Sequence, residues 1–172
     1  MAETRGTRQY AKERERVSVV FVCLGNICRS PLAEGFFQDL VERAGLGDRI
    51  EIDSAGTSNY HIGELPDSRA REAARRRGVE LTSRARQLKR ADLDRFDYVI
   101  VMDSENRRDV EQLGGGKSTA RIQRLLDYAD AYDVHDVPDP YYGGPEGFEL
   151  VCDMVEHACA RLLQHIRAEN GW

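Results

Sequence analysis

Apolar positions along this chain follow two periods, one continuous and short, the other spaced three and four apart. Residues 17–22 are apolar except for Ser18 and rich in β-branched side chains, the pattern of a central parallel strand covered on both faces. Residues 31–44 carry Leu32, Phe36, Phe37 and Leu40 on one helical stripe and run into Gly45 and Gly47, which stop it. Residues 50–53 predict a short strand. Residues 67–77 predict a helix entered after Pro66 and ended by Gly78. Residues 91–96 predict a short helix and residues 98–102 a second buried strand. Ser104 is the expected N-cap of a helix through Leu113, with Glu105 in its first turn. Residues 122–126 predict the fourth strand. Residues 146–168 predict a long helix, apolar at Leu150, Val151, Met154, Val155, Ala158, Leu162 and Leu163. Strands alternating with helices imply an α/β class, single-domain, with a four-stranded parallel sheet flanked by helices and right-handed crossovers. Residues 1–16 have no hydrophobic period and read as a polar N-terminal extension; residues 17–172 form the domain.

Composition narrows the function classes. The 172 residues suffice for one full core, at 41% hydrophobic and 32% charged. No apolar run approaches the roughly 20 residues of a membrane helix, so no membrane insertion is expected. The polar N-terminus does not resemble a secretory signal, and a reducing cytoplasmic setting is the expectation. The net charge is −5, of which residues 1–16 contribute +2, leaving −7 for the rest. That balance argues against general nucleic-acid binding. Residues 69–90 nevertheless hold nine Arg/Lys, either a solvated helix face or a field that draws anions. Cys23, Cys28, Cys152 and Cys159 have no zinc-finger spacing, and His61, His135, His157 and His165 form no metal cluster, so no metal and no cofactor are expected. Gly114-Gly115-Gly116-Lys117-Ser118 resembles the tail of a nucleotide-binding loop, but Glu111 stands where a glycine is needed and a helix precedes it.

The chemistry concentrates in Cys23-Leu24-Gly25-Asn26-Ile27-Cys28-Arg29, directly after the first strand. Strand, tight loop and helix in that order point backbone N–H groups and a helix N-terminus at an anion. Gly25 permits the turn, Asn26 tolerates left-handed torsions, and Pro31 suits a first helical turn. Arg29 offers a planar fork for two anion oxygens. Ser30 can donate to a thiolate or cap the helix. Cys23 on the loop floor is then a candidate nucleophile, since nearby positive charge favours the thiolate. The plainer alternative is a small buried residue at a strand end.

Residues 22–31 resemble the signature loop of the low-molecular-weight protein tyrosine phosphatases. Asp139-Pro140-Tyr141-Tyr142 resembles that family's general-acid loop, and Asp53-Ser54-Ala55-Gly56-Thr57 and residues 96–103 match in type and order. The resemblance covers about residues 17–168. It implies a flavodoxin-like strand order, a tyrosine-phosphorylated protein as partner, and hydrolysis through a cysteinyl-phosphate. Cys23 attacks and Arg29 holds phosphoryl oxygens, with Leu24, Gly25, Asn26, Ile27, Cys28 and Ser30 forming the cradle. Asp139 protonates the leaving phenolate and later takes a proton from water. Tyr60, Tyr141 and Tyr142 would wall a slot for an aryl ring, although either of the last two could instead be core. Asn26 and Ser54 would hold the loop, while Asp103 either orients Arg29 or caps a helix. A reversible Cys23–Cys28 disulfide is implied by the resemblance. Where the family often has a histidine, this chain has Ser83. Two other classes fit the anion loop: an arsenate reductase, which needs a relay of further cysteines, and a non-catalytic phosphotyrosine-binding module. No motif fixes the oligomeric state.

Overall fold

The first apolar run forms a central strand, β1 (Val17–Cys23), in a computed structural model that describes residues 16–172. The extension assigned to residues 1–16 lies, except for Arg16, outside the described residues. The chain continues through α1 (Arg29–Arg43), β2 (Ile50–Gly56), α2 (Ser68–Arg76), α3 (Asp92–Arg95), β3 (Tyr98–Val101), α4 (Ser104–Gly114), β4 (Arg121–Arg124), a 3₁₀ turn (Leu125–Tyr128) and α5 (Pro145–Asn170). The four strands are parallel in the order β2-β1-β3-β4. That is the expected α/β architecture and the flavodoxin-like order. The chain leaves β1 to one side for β2 and returns to the other for β3, so a crevice opens at the carboxyl end of β1.

The strand period of two sorts the core into two layers. Val19 and Phe21 face α1 and α5, where Leu32, Phe37, Val155 and Leu162 are buried. Val20 and Val22 face the other side, with Leu93 of α3 and Val110 of α4. Both helix layers therefore clamp β1, and the loop that follows it leaves a rigid support.

Several boundaries differ from expectation, each for a local reason. β2 runs on to Gly56, because its last three residues pair with Phe21, Val22 and Cys23. β4 stops at Arg124; Leu125 and Leu126 both enter the core layer that holds α1 and α5, which consecutive strand positions on opposite faces cannot do. The N-cap of α4 is Asp103 rather than Ser104: its Oδ1 accepts from Asn106 N at 2.7 Å, while the Ser104 hydroxyl donates to Asp136. Leu150 is 45% exposed instead of buried. At about 100° per residue it lies about 140° around α5 from Val155, outside the stripe. Among the described residues no helix is long and apolar enough to cross a membrane, and no group of three or more His, Cys, Asp or Glu could hold a metal.

Candidate active site

β1 ends at Cys23, and residues 24–28 turn back over it before α1 begins at Arg29. The Cys23 thiol is buried, with two groups within hydrogen-bonding distance: the backbone N–H of Asn26 at 3.3 Å and the Ser30 hydroxyl at 3.0 Å. Ser30 Oγ already accepts from Asn26 Nδ2 at 2.8 Å, and of the two acceptors within reach of its own hydrogen the sulfur at 3.0 Å is nearer than the Ala55 carbonyl at 3.5 Å. Ser30 thus takes the first of its two expected roles; the residue flanking α1 is Cys28, which makes no side-chain cap.

Asn26 fixes the loop. Among the described residues it is the one non-glycine with positive φ, at 57°, where a short polar side chain costs least. Its amide reaches three segments: Nδ2 donates to Ser30 Oγ and, at 3.0 Å, to Ser54 Oγ, and Oδ1 accepts from Arg86 N at 3.1 Å. Ser54 in turn donates to Glu34 Oε1 at 3.0 Å. Burial raises the Glu34 carboxyl above its ordinary value, against the hydrogen bonds from Ser83 and Ser54. Ser83, at the position of the expected histidine, therefore meets the network through Glu34. Arg86 closes the back of the loop on Asp53 at 3.0 Å and Asp92 at 2.9 Å. A Cβ at Gly56 would stand 2.7 Å from the Leu24 carbonyl oxygen, so only glycine lets β2 pass this close beneath the loop.

Arg29 is buried beside the thiol. Nη1 donates to Asp103 Oδ2 at 2.6 Å and to the Val137 carbonyl at 3.0 Å, and Nη2 lies 3.6 Å from Asp139 Oδ2. Burial pulls the guanidinium down, but Cys23, Asp103 and Asp139 together raise it overall, so it stays charged. The choice between two roles for Asp103 dissolves: one oxygen caps α4 and the other holds Arg29. Val137 N–H bonds the Met102 carbonyl at 2.8 Å, tying the segment before Asp139 to the end of β3. Asp139 Oδ1 accepts from Tyr141 N at 3.0 Å, which curls the turn around Pro140.

Above these groups opens a cleft of about 110 Å³ whose lining includes Cys23, Arg29, Tyr60, His61, Asp139 and Tyr141. Leu24, Gly25, Ile27, Cys28 and Tyr142 also face it. Tyr142 is 94% and Tyr60 73% exposed, so these two are rim, while Tyr141 packs edge-on against Tyr142 at 4.9 Å.

A model of the family described as low molecular weight phosphotyrosine protein phosphatase matches residues 18–171. The chain belongs to that family. It is 48% identical over 155 residues to the low molecular weight protein-tyrosine-phosphatase YfkJ of Bacillus subtilis, covering 90% of this chain and 98% of the relative. The crystal structure of YfkJ superposes with a TM-score of 0.85, covering 90% of this chain and 96% of that one. The human low molecular weight phosphotyrosine protein phosphatase is 38% identical over 153 residues, 88% of this chain and 97% of that protein. An arginine phosphatase from Drosophila is 31% identical with a TM-score of 0.82, over 87% of this chain and 97% of that one. Enzymes of this family are phosphatases, and so is this chain.

Residues distant in the sequence converge here from β1, β2, β3 and the segment around Asp139, together with five supports that the sequence does not mark. Glu34 sits one helical turn beyond Ser30 and looked like any helix carboxylate. His61, one of four histidines with no cluster spacing, lines the cleft, bonds Glu64 through Nδ1 and lies 6.2 Å from the Tyr141 ring. Arg69 and Arg86, read within a charge run, are engaged: Arg69 binds Asp67 and the carbonyls of Tyr141 at 3.0 Å and Gly143 at 3.3 Å. Gly56, in Asp53-Ser54-Ala55-Gly56-Thr57, has no side chain to signal its role. Elsewhere in the run, Arg77 pairs with Glu149, Asp153 and Glu156 of α5, so carboxylates absorb much of its charge. Cys152 and Cys159 are buried in α5; burial pushes Cys152 up to about 12 and Cys159 higher, and Cys159 Sγ contacts the Ala33 carbonyl.

Proposed function

We propose that this protein hydrolyses phosphotyrosine in proteins, and aryl phosphates more generally, through a cysteinyl-phosphate intermediate. The observation that carries the reading is the Cys23 sulfur, held between the Asn26 N–H and the Ser30 hydroxyl on the floor of a cleft that also contains Arg29 and Asp139. The Cys23 thiolate attacks phosphorus; the S–P bond forms as the P–O bond to the ring breaks. Arg29 and the loop take the charge of the equatorial oxygens, and Asp103 and Val137 fix the guanidinium beforehand. Asp139 gives its proton to the leaving phenolate. Water then attacks phosphorus, Asp139 takes that water's proton, and the S–P bond breaks to release phosphate and the thiolate. The aromatic rings of Tyr60, Tyr141 and Tyr142 support an aryl ester as the substrate. An arsenate relay finds no support, since Cys152 and Cys159 are buried in an intact helix and their thiols are held protonated.

The test is Cys23→Ser. Turnover of phosphotyrosine should vanish while phosphate or vanadate still binds, because the cradle remains. Substantial turnover in that variant would remove Cys23 from the mechanism. Asp139→Asn should slow poor leaving groups far more than good ones, on the scale of about 10²–10⁴-fold for general acid help. A phosphoarginine peptide assayed beside phosphotyrosine should be the poorer substrate.

A further inference from the structure

Beside the catalytic cleft runs a second, larger groove of about 540 Å³, within the range of about 300–1,000 Å³ typical of ligand sites. It lies between residues 57–60 and the last turns of α4. Leu24 and Tyr60 line both the groove and the catalytic cleft, so the two form one continuous surface with these side chains on the ridge. Leu24, Tyr60 and Leu113 are exposed by 41%, 73% and 38%, large apolar side chains left partly open to solvent along the groove. Leu88 and Val110 are buried beneath it, and both belong to the core layer under α4, so the floor is rigid. Asp109 is the one charged residue in the lining. The Thr57 hydroxyl in the wall is buried and makes no hydrogen bond.

We propose that this groove holds the stretch of substrate chain next to the phosphotyrosine, and that α4 thereby sets sequence preference. The proposal rests on the phosphotyrosine reading of the cleft. A phosphotyrosine whose phosphate reaches Cys23 brings its backbone to the rim, where Leu24 and Tyr60 lead directly into the groove. The occupant is an extended segment with a large apolar side chain seated between Leu24 and Leu113. A lysine or arginine, not an acidic residue, faces Asp109. The concave, nearly neutral lining suits a narrow peptide and offers no cation to an anionic lipid surface.

The experiment compares phosphotyrosine peptides flanked on either side by leucine and lysine, by glycine, or by glutamate, with 4-nitrophenyl phosphate as the substrate that cannot reach the groove. The variants are Leu113→Ala and Asp109→Lys, both on the exposed face of α4 and outside the catalytic machinery. The wild type should favour the leucine–lysine peptide over the glycine peptide by about five- to twentyfold in kcat/KM, carried by KM, as partial burial of one leucine implies. Leu113→Ala should erase most of that preference. Asp109→Lys should invert the order of lysine- and glutamate-flanked peptides. Turnover of 4-nitrophenyl phosphate should be unchanged in both. Indifference of the wild type to flanking sequence, with normal aryl-phosphate turnover, overturns the groove proposal alone. A wild type that fails to hydrolyse 4-nitrophenyl phosphate overturns the phosphatase chemistry and this proposal with it. Sedimentation at assay concentration completes the test: if Leu113→Ala changes the oligomeric state and leaves peptide preference intact, a second copy of the chain occupies the groove and the proposal falls.

Discussion

Asp103 joins the helix cap of α4 to the orientation of Arg29, and the two functions separate by substitution. Asp103→Asn keeps a good N-cap acceptor for Asn106 but removes the charge from the 2.6 Å contact to the buried guanidinium. A hydrogen bond to a charged group is worth about 1.5–3 kcal/mol, and that is the expected loss. Asp103→Ala also removes the cap, a further ~1 kcal/mol, which brings the total to about 2.5–4 kcal/mol. Breaking a buried ion pair typically costs about 3–5 kcal/mol; the lower end applies because Arg29 keeps the Val137 carbonyl at 3.0 Å and Asp139 at 3.6 Å. Urea denaturation reads the difference: with a slope of about 2 kcal/mol per molar, the asparagine variant should unfold about 1 M earlier than the wild type, and the alanine variant about 0.5 M earlier again. Turnover behaves differently. Both variants take the carboxylate away from Arg29 and leave it the Val137 carbonyl, so their kcat values should fall together, within about twofold of each other, while their stabilities differ. An Asp103→Asn protein as stable as the wild type to within about 0.5 kcal/mol, or an alanine variant no less stable than the asparagine one, would refute the division of labour between the two oxygens.

Three further outcomes are expected. Glu34 has a folded pKa raised by burial, so the native state holds its proton over a pH range where the unfolded chain has lost it; stability should fall as pH rises from about 4.3 through the folded value, and Glu34→Gln, which keeps an acceptor for Ser54, should flatten that slope in urea midpoints measured between pH 4 and 7. Arg69→Met removes the bonds to the carbonyls of Tyr141 and Gly143 and should loosen Asp139, slowing phenyl phosphate several-fold more than 4-nitrophenyl phosphate; equal slowing would mean that the acid loop does not depend on it. Iodoacetamide at pH 7 should label Cys23 first and leave Cys28, Cys152 and Cys159 largely unmodified until the chain unfolds, because burial raises all three of those thiols; mass mapping that finds Cys152 labelled as fast as Cys23 would contradict the packing of α5.

The legible parts of this protein were those written in contiguous residues. The apolar run of β1, the loop from Cys23 to Arg29 and the Asp139-Pro140 pair announce themselves because strand period and turn chemistry act over a few positions. The β4 boundary was misplaced because Ile122 to Leu126 is apolar enough for a strand, and only the packed structure shows that Leu125 and Leu126 both enter the core. The supports were least visible. Glu34, Arg69 and Arg86 are charged residues on helical or irregular segments, where a charge is ordinarily solvated; each is made specific by partners about 20 to 74 positions away. His61 has no periodic neighbour to mark it, and its place at the cleft depends on how residues 57–64 fold over Gly25, whose missing side chain leaves room for the imidazole at 3.0 Å from a built Cβ.

Asp67 links the two halves of the cleft outside the sheet. Its backbone N–H donates to the Ile27 carbonyl of the loop after β1 at 2.8 Å, and its carboxylate holds Arg69, which grips the chain after Asp139 at the Tyr141 and Gly143 carbonyls. The separation between residues 23–29 and the turn after Asp139 is therefore set by a short strut and the Val137–Met102 bond rather than by the long stretch of chain from α4 to Pro145. Insertions and deletions in residues 115–119, which leave β4 and the buried Leu125 and Leu126 in place, can accumulate over evolutionary time without retuning the reaction, provided the strut and the Val137–Met102 bond survive. For an engineer the same geometry marks residues 114–118 as the place to graft a sensor or a second module, and residues 67–69 as the place to leave alone.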